Sequence, residues 1–133
     1  MTGGEPAGES GPGAVVRVVI VDDQLPFRRA AAAVVTRSPG FRVVGEGASG
    51  EQAIELCRSL RPDLILLDVQ MPGLGGIEAA RSIIREATAT VILCSTHPRD
   101  DVELDPAMGY LAKEDLSPAN LQHTWNDATT APE

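Results

Sequence analysis

Aromatic side chains are nearly missing from this chain, at 3% of its 133 residues. A core without rings has to be built from aliphatic and alanine side chains. Basic charge is short as well. Eleven Lys and Arg stand against 19 Asp and Glu, a formal net charge of -8. That balance argues against a nucleic-acid or anionic-membrane surface, because phosphate groups call for stripes of Lys and Arg. It suits a protein that binds a cation. No apolar run approaches the ~18 residues needed to span a bilayer, and the start lacks the basic segment and apolar stretch of a secretory leader. The two cysteines, Cys57 and Cys94, show no disulfide or metal-ligand spacing. They read as packing residues in a reducing, cytoplasmic setting.

What is present is one domain's worth of alternating strands and helices. Residues 1–14 are rich in Gly and Pro and are expected to be a disordered tail. The folded domain is expected over 15–126, with a frayed terminus over 127–133. Val15–Val21 is β-branched and reads as a first strand, ending in Asp22-Asp23. A helix is expected from Leu25 to about Ser38, stopped by Pro39-Gly40. Phe41–Gly45 reads as a short second strand, with Arg42 and Glu46 marking it as a sheet edge. Ser49 and Gln52 have capping-box spacing before a second helix, which turns Ala53, Ile54, Leu56, Cys57 and Leu60 inward.

The most informative stretch is Leu64-Ile65-Leu66-Leu67-Asp68, followed at once by Val69-Gln70-Met71-Pro72-Gly73. A wholly apolar run between turn signals reads as a strand buried on both faces. It delivers one carboxylate to a strand's carboxyl end, where open α/β sheets place their ligands. A third helix is expected from near Gly76. Thr90–Ser95 is a fourth buried strand ending in a hydroxyl. His97 to Ala107 is bracketed by Pro98 and Pro106, so at most a short helix fits there. Met108–Lys113 reads as a fifth strand ending in an amine, and a last helix runs from Ser117 to about Asn126. Leu121 and Trp125 face inward together. This alternation implies a parallel sheet with helices on both faces. Asp22, Asp23, Asp68, Ser95 and Lys113 then share one rim.

Three carboxylates at one rim repel each other, and a hard divalent cation relieves that. Mg2+ takes one or two carboxylates and keeps room for water and phosphate oxygens. A carboxylate beside such an ion can become an aspartyl-phosphate. Lys113 and Ser95 can answer the charge of a phosphoryl group as an ammonium and a hydroxyl.

In Val21-Asp22-Asp23, Leu67–Gly73, Ile92–Ser95 and Gly109–Lys113 the chain resembles the receiver domain of two-component response regulators, over roughly 15–126. The resemblance implies an α/β fold of the CheY-like, flavodoxin-like kind: a doubly wound five-stranded parallel sheet of order 2-1-3-4-5 in a three-layer sandwich. It implies that Asp68 accepts a phosphoryl group from a sensor histidine kinase or phosphotransfer protein. Asp23 would bind Mg2+ directly and Asp22 through water, with the backbone carbonyl of Gln70 as a further ligand. Lys113 would pair with the phosphoryl group, Ser95 would swing toward it and Tyr110 would follow inward. The side chains of Gln70 and His97 would tune its hydrolysis. Such a protein is a switch acting on an unidentified downstream protein, not an enzyme with an external product. No nucleic acid or membrane contact is expected, and homodimerisation on phosphorylation is left open.

Two departures stand out. Glu114 follows Lys113 where many receivers carry proline, and the helix between the fourth and fifth strands is shortened, with Pro106-Ala107 before the last strand. The segment after Trp125 is too short for an output domain, so the chain reads as stand-alone. A phosphorylation-independent pseudo-receiver acting as a binding module is the alternative. A phosphohydrolase of the haloacid-dehalogenase kind fits worse, since its nucleophile lies on the first strand in an Asp-x-Asp arrangement.

Overall fold

The computed structural model describes residues 14–96 and 107–130. The tail over 1–13, the segment over 97–106 and the last three residues lie outside them. So do His97, Pro106 and the shortened helix expected before the last strand. Within the described residues the chain alternates as anticipated: β1 (Val16–Val21), α1 (Leu25–Arg37), β2 (Phe41–Gly47), α2 (Gly50–Leu60), β3 (Leu64–Asp68), α3 (Gly76–Glu86), β4 (Thr90–Ser95), β5 (Met108–Ala112) and α4 (Pro118–Thr129). The strands form one sheet in the order β2-β1-β3-β4-β5, and every pairing is parallel.

Strand periodicity divides the core in two. Val19, Val21, Ile65, Leu67, Val91 and Leu93 point to one face, where Ala53 and Cys57 of α2 and Ala79, Ala80 and Ile83 of α3 cover them. Their neighbours Val18, Ile20, Leu64, Leu66, Ile92 and Cys94 point to the other face. There they meet Ala31 and Val35 of α1 and Leu121 of α4. Side chains alternate along a strand, so a central strand covered on both faces must be apolar at every position. β3 meets that condition from Leu64 to Leu67, and all five of its residues, the terminal Asp68 included, are buried. Phe41 and Trp125 pack edge to face at 6.3 Å on the α1/α4 side.

Local signals set the element ends. The Ser49 hydroxyl accepts from the Gln52 N–H at 3.1 Å, and Gln52 Oε1 reaches back to the Ala48 N–H at 2.6 Å. That is a capping box whose return arm lands one residue early. Ser117 caps α4 in the same way through the Asn120 N–H, with Pro118 in the first turn.

Apart from the start of β1 at Val16 rather than Val15, three boundaries differ from the sequence reading. β2 runs on to Gly47, past a register shift opposite Val18 and Val19. β5 ends at Ala112, and Lys113 opens a 3-10 turn through Asp115. α4 continues to Thr129, three residues beyond the helix end expected from sequence. The hydroxyl of Thr129 donates to Trp125 O at 2.7 Å and that of Thr130 to Asn126 O at 2.6 Å, while Ala128 packs against the core. Those contacts hold the last turn that composition alone suggested would fray.

Candidate functional site

Parallel strands all end on the same side, and the register decides which ends meet. Val21 pairs with Leu67, so Asp22 follows β1 at the level of Asp68 on the neighbouring strand. Asp68 pairs in turn with Cys94, and Ser95 with Ala112. Each polar residue therefore stands at a strand's last position or one beyond it. Asp22, Asp68 and Ser95 are buried, whereas Asp23 is exposed.

The rim does bring the acids together. One carboxylate oxygen from each of Asp22, Asp23 and Asp68 lies within 4.8 Å of the others. Lys113 enters the same space from the far strand, with Nζ 2.7 Å from Asp22 Oδ2 and 3.5 Å from Asp68 Oδ1. The amine thus sits closer to the acid of β1 than to the candidate acceptor. Asp22 Oδ1 accepts the Gln24 N–H at 2.8 Å. Its Oδ2 has the ammonium alongside but no hydrogen bond of acceptable geometry, although it is buried. We regard it as ion-paired yet incompletely satisfied, since distance alone does not make an aligned bond.

The electrostatics follow from this crowding. Burial, and then the charge of Asp22, push the Asp68 carboxyl up from 3.8 to about 6. Lys113 and the Gln70 backbone N–H oppose that rise without cancelling it. Burial pulls the Lys113 ammonium down, but its close pairing with the Asp22 carboxylate and the charge of Asp68 outweigh this, and the net shift is upward. Lys113 is accordingly held as a cation. Behind the rim, burial raises the Cys94 thiol to about 12 and the Cys57 thiol to about 11. Both cysteines are free and buried, in keeping with a packing role.

Hard oxygen donors converging on one gap suit Mg2+ or a similar cation, and the incompletely satisfied Oδ2 of Asp22 offers one such donor. The donor set therefore fits the ion that the sequence suggested. Tyr110 is half-buried on β5, opposite Leu93, and packs against the α2/α3 side of the core. Gln70 is exposed in the loop after β3, and its N–H serves Asp68.

Sequence reasoning missed three residues that shape this rim. Arg28 Nη1 donates to Asp22 O at 2.7 Å and its Nε lies 3.3 Å from Glu46 Oε1. The Phe27 ring centroid is 4.4 Å from Lys113 Nζ. Gly76 packs so closely that a Cβ there would fall 1.9 Å from Asp68 O. The signal available for the first two was their place in the opening turn of a helix that starts two residues after the acidic pair. For Gly76 it was a glycine opening the helix that follows the Asp68 loop.

Comparison with known proteins agrees with this geometry. The family model described as the response regulator receiver domain matches residues 18–123. The positive alginate biosynthesis regulatory protein of Pseudomonas aeruginosa is 44% identical over 114 residues, covering 78% of this chain and 45% of that protein. A protein-glutamate methylesterase/protein-glutamine glutaminase of Alkalilimnicola ehrlichii is 43% identical over 81 residues, covering 61% of this chain and 21% of that protein. The chain thus spans less than half the length of either relative. Among solved structures, the response regulator domain of Thermotoga maritima CheB superposes with a TM-score of 0.72 at 26% identity, covering 89% of this chain and 99% of that one. With the sheet order, the rim and these matches in agreement, the chain belongs to the response regulator receiver domain family of two-component systems.

Proposed function

We propose that this receiver is a phosphoryl-accepting switch whose acceptor is Asp68 and whose resident ion is Mg2+. The observation that carries this reading is the placement of Lys113 Nζ within 3.5 Å of Asp68 and 2.7 Å of Asp22, beside three converging carboxylates. In the step proposed, an Asp68 oxygen forms a bond to phosphorus. The bond from phosphorus to the donor's histidine nitrogen breaks, and that nitrogen keeps the electron pair. Asp22, Asp23, Asp68 and the Gln70 carbonyl would hold the ion, which when bound supplies positive charge to the phosphoryl oxygens. Lys113 supplies the second positive charge, and the buried Ser95 hydroxyl a hydrogen bond. Tyr110, the Gln70 side chain and His97 are proposed to relay the modified state or to tune its lifetime.

The domain doing this work is proposed to be 15–126, acting in the cytoplasm between a sensor histidine kinase, or a phosphotransfer protein, and a downstream protein. No helix among the described residues is long and apolar enough to cross a membrane. The test is intact-mass spectrometry after incubation with Mg2+ and acetyl phosphate, where acetate is the leaving group. The wild type should gain one phosphoryl mass, and Asp68→Asn should gain none. An unmodified wild type would refute the proposal and leave the binding-module alternative standing.

A further inference from the structure

The chain contains two phenylalanines. Phe41 is used in the core against Trp125. Phe27 is used differently: it is half-buried in the opening turn of α1, and Lys113 Nζ lies over its ring at 4.4 Å from the centroid. That distance is within the ~6 Å reach over which a ring face attracts a cation.

From this contact we infer that Phe27 is a positioning residue for Lys113, a role that rests on the phosphoryl-transfer reading above. A lysine head group is a point charge on a flexible four-carbon stem, and it loses rotamer freedom whenever it is held in one place. Here the Lys113 side chain is only 12% exposed, and its head group touches the Asp22 carboxylate, the Asp68 carboxylate and the Phe27 ring. The two carboxylates alone would leave the ammonium free to trade one of them for water. The ring adds an attraction of its own and removes solvent from one approach. It also carries no charge, so it does not compete with a phosphoryl group for the lysine. An ammonium held by a neutral face can pass from Asp22 to a phosphoryl oxygen on Asp68 without giving up that face. Leucine at the same position would fill space but offer no quadrupole.

Wild type, Phe27→Leu and Phe27→Tyr are compared by two measurements. The first is NMR of the Lys113 side-chain methylenes nearest the ammonium. A ring over the head group displaces their proton resonances upfield, and that displacement should survive in Phe27→Tyr and disappear in Phe27→Leu. The second is the rate of phosphoryl uptake from acetyl phosphate with Mg2+, which should fall about three- to tenfold in Phe27→Leu and recover in Phe27→Tyr. If Phe27→Leu does not fold, Phe27→Met takes its place. Unshifted Lys113 resonances in the wild type would overturn the inference, as would a Leu or Met variant that keeps the wild-type rate. A wild type that takes up no phosphoryl group defeats the functional reading instead, and the NMR comparison still decides whether Phe27 holds the lysine.

Discussion

Asp68 illustrates how a single residue can be costly to a fold at the very point where the proposed function would need it. Its carboxyl is raised to about 6 in the folded chain, against an ordinary value of 3.8. The folded state therefore holds the proton more tightly than the unfolded state does. Stability falls as pH climbs from about 4 to about 6, and the penalty stays in full above that range. Two pK units correspond to ~3 kcal/mol, a net figure in which the opposing pull of Lys113 is already counted. Asp68→Asn should raise the stability of the ion-free protein by roughly 1–3 kcal/mol at pH 7.5, with the gain shrinking to nothing below pH 4. Urea denaturation at the two pH values in a chelating buffer would measure it. Asp22, Asp23, Asp68 and Lys113 were legible from sequence because charge at the end of an apolar run is conspicuous. Phe27 and Arg28 were not, because they act across space, from α1 onto β1 and the end of β5. No period within one element reports such a contact.

At the scale of elements, the loop from β3 into α3 is the part most tightly built. Gly76 N donates to Val69 O at 3.0 Å, and the missing Cβ of Gly76 would meet Asp68 O, Asp68 C and Val69 Cα, all at 2.8 Å or less. These are backbone atoms, so no rotamer change can make room. The opening of α2 presses on the same loop: a Cβ at Gly50 would fall 2.2 Å from Leu74 O, and Leu74 N donates to Glu51 at 3.4 Å. Gly76→Ala should cost roughly 1–3 kcal/mol of stability. It should also slow phosphoryl uptake by up to about 100-fold, since a displacement of ~1 Å at a reacting group has that effect. A melt and an uptake assay on the same preparation would separate the two losses. The strand and helix succession was readable because β3 is apolar up to Asp68 and α2 and α3 keep a helical stripe. The ends of α4 and β5 were less so. Hydroxyls folding back onto carbonyls and a 3-10 turn at Lys113 depend on neighbours that the local sequence does not display.

For the whole molecule, the sheet separates two aliphatic cores and leaves its polar ends on one rim. A ligand at that rim touches β1 and β3, the sheet's interior, and so should be felt by the global unfolding equilibrium. Mg2+ at ten times its dissociation constant should add ~1.4 kcal/mol, a rise of roughly 5 °C in melting temperature for a domain of this size. Asp22→Asn and Asp23→Asn should each lose most of that rise. Differential scanning fluorimetry across a Mg2+ titration, with Ca2+ in parallel, provides the measurement.

At the opposite pole of the sheet the backbone carries a different kind of tension. Helices α2 and α3 close on Arg61 at φ 50° and Ala87 at φ 56°, both left-handed and neither glycine. A side chain costs ~1–2 kcal/mol in that conformation. Ala87→Gly should therefore stabilise the chain by up to about 1 kcal/mol, read as a shifted denaturant midpoint. Because that turn lies at the end of the sheet away from the acids, it is a place to tune robustness independently of the proposed phosphoryl chemistry.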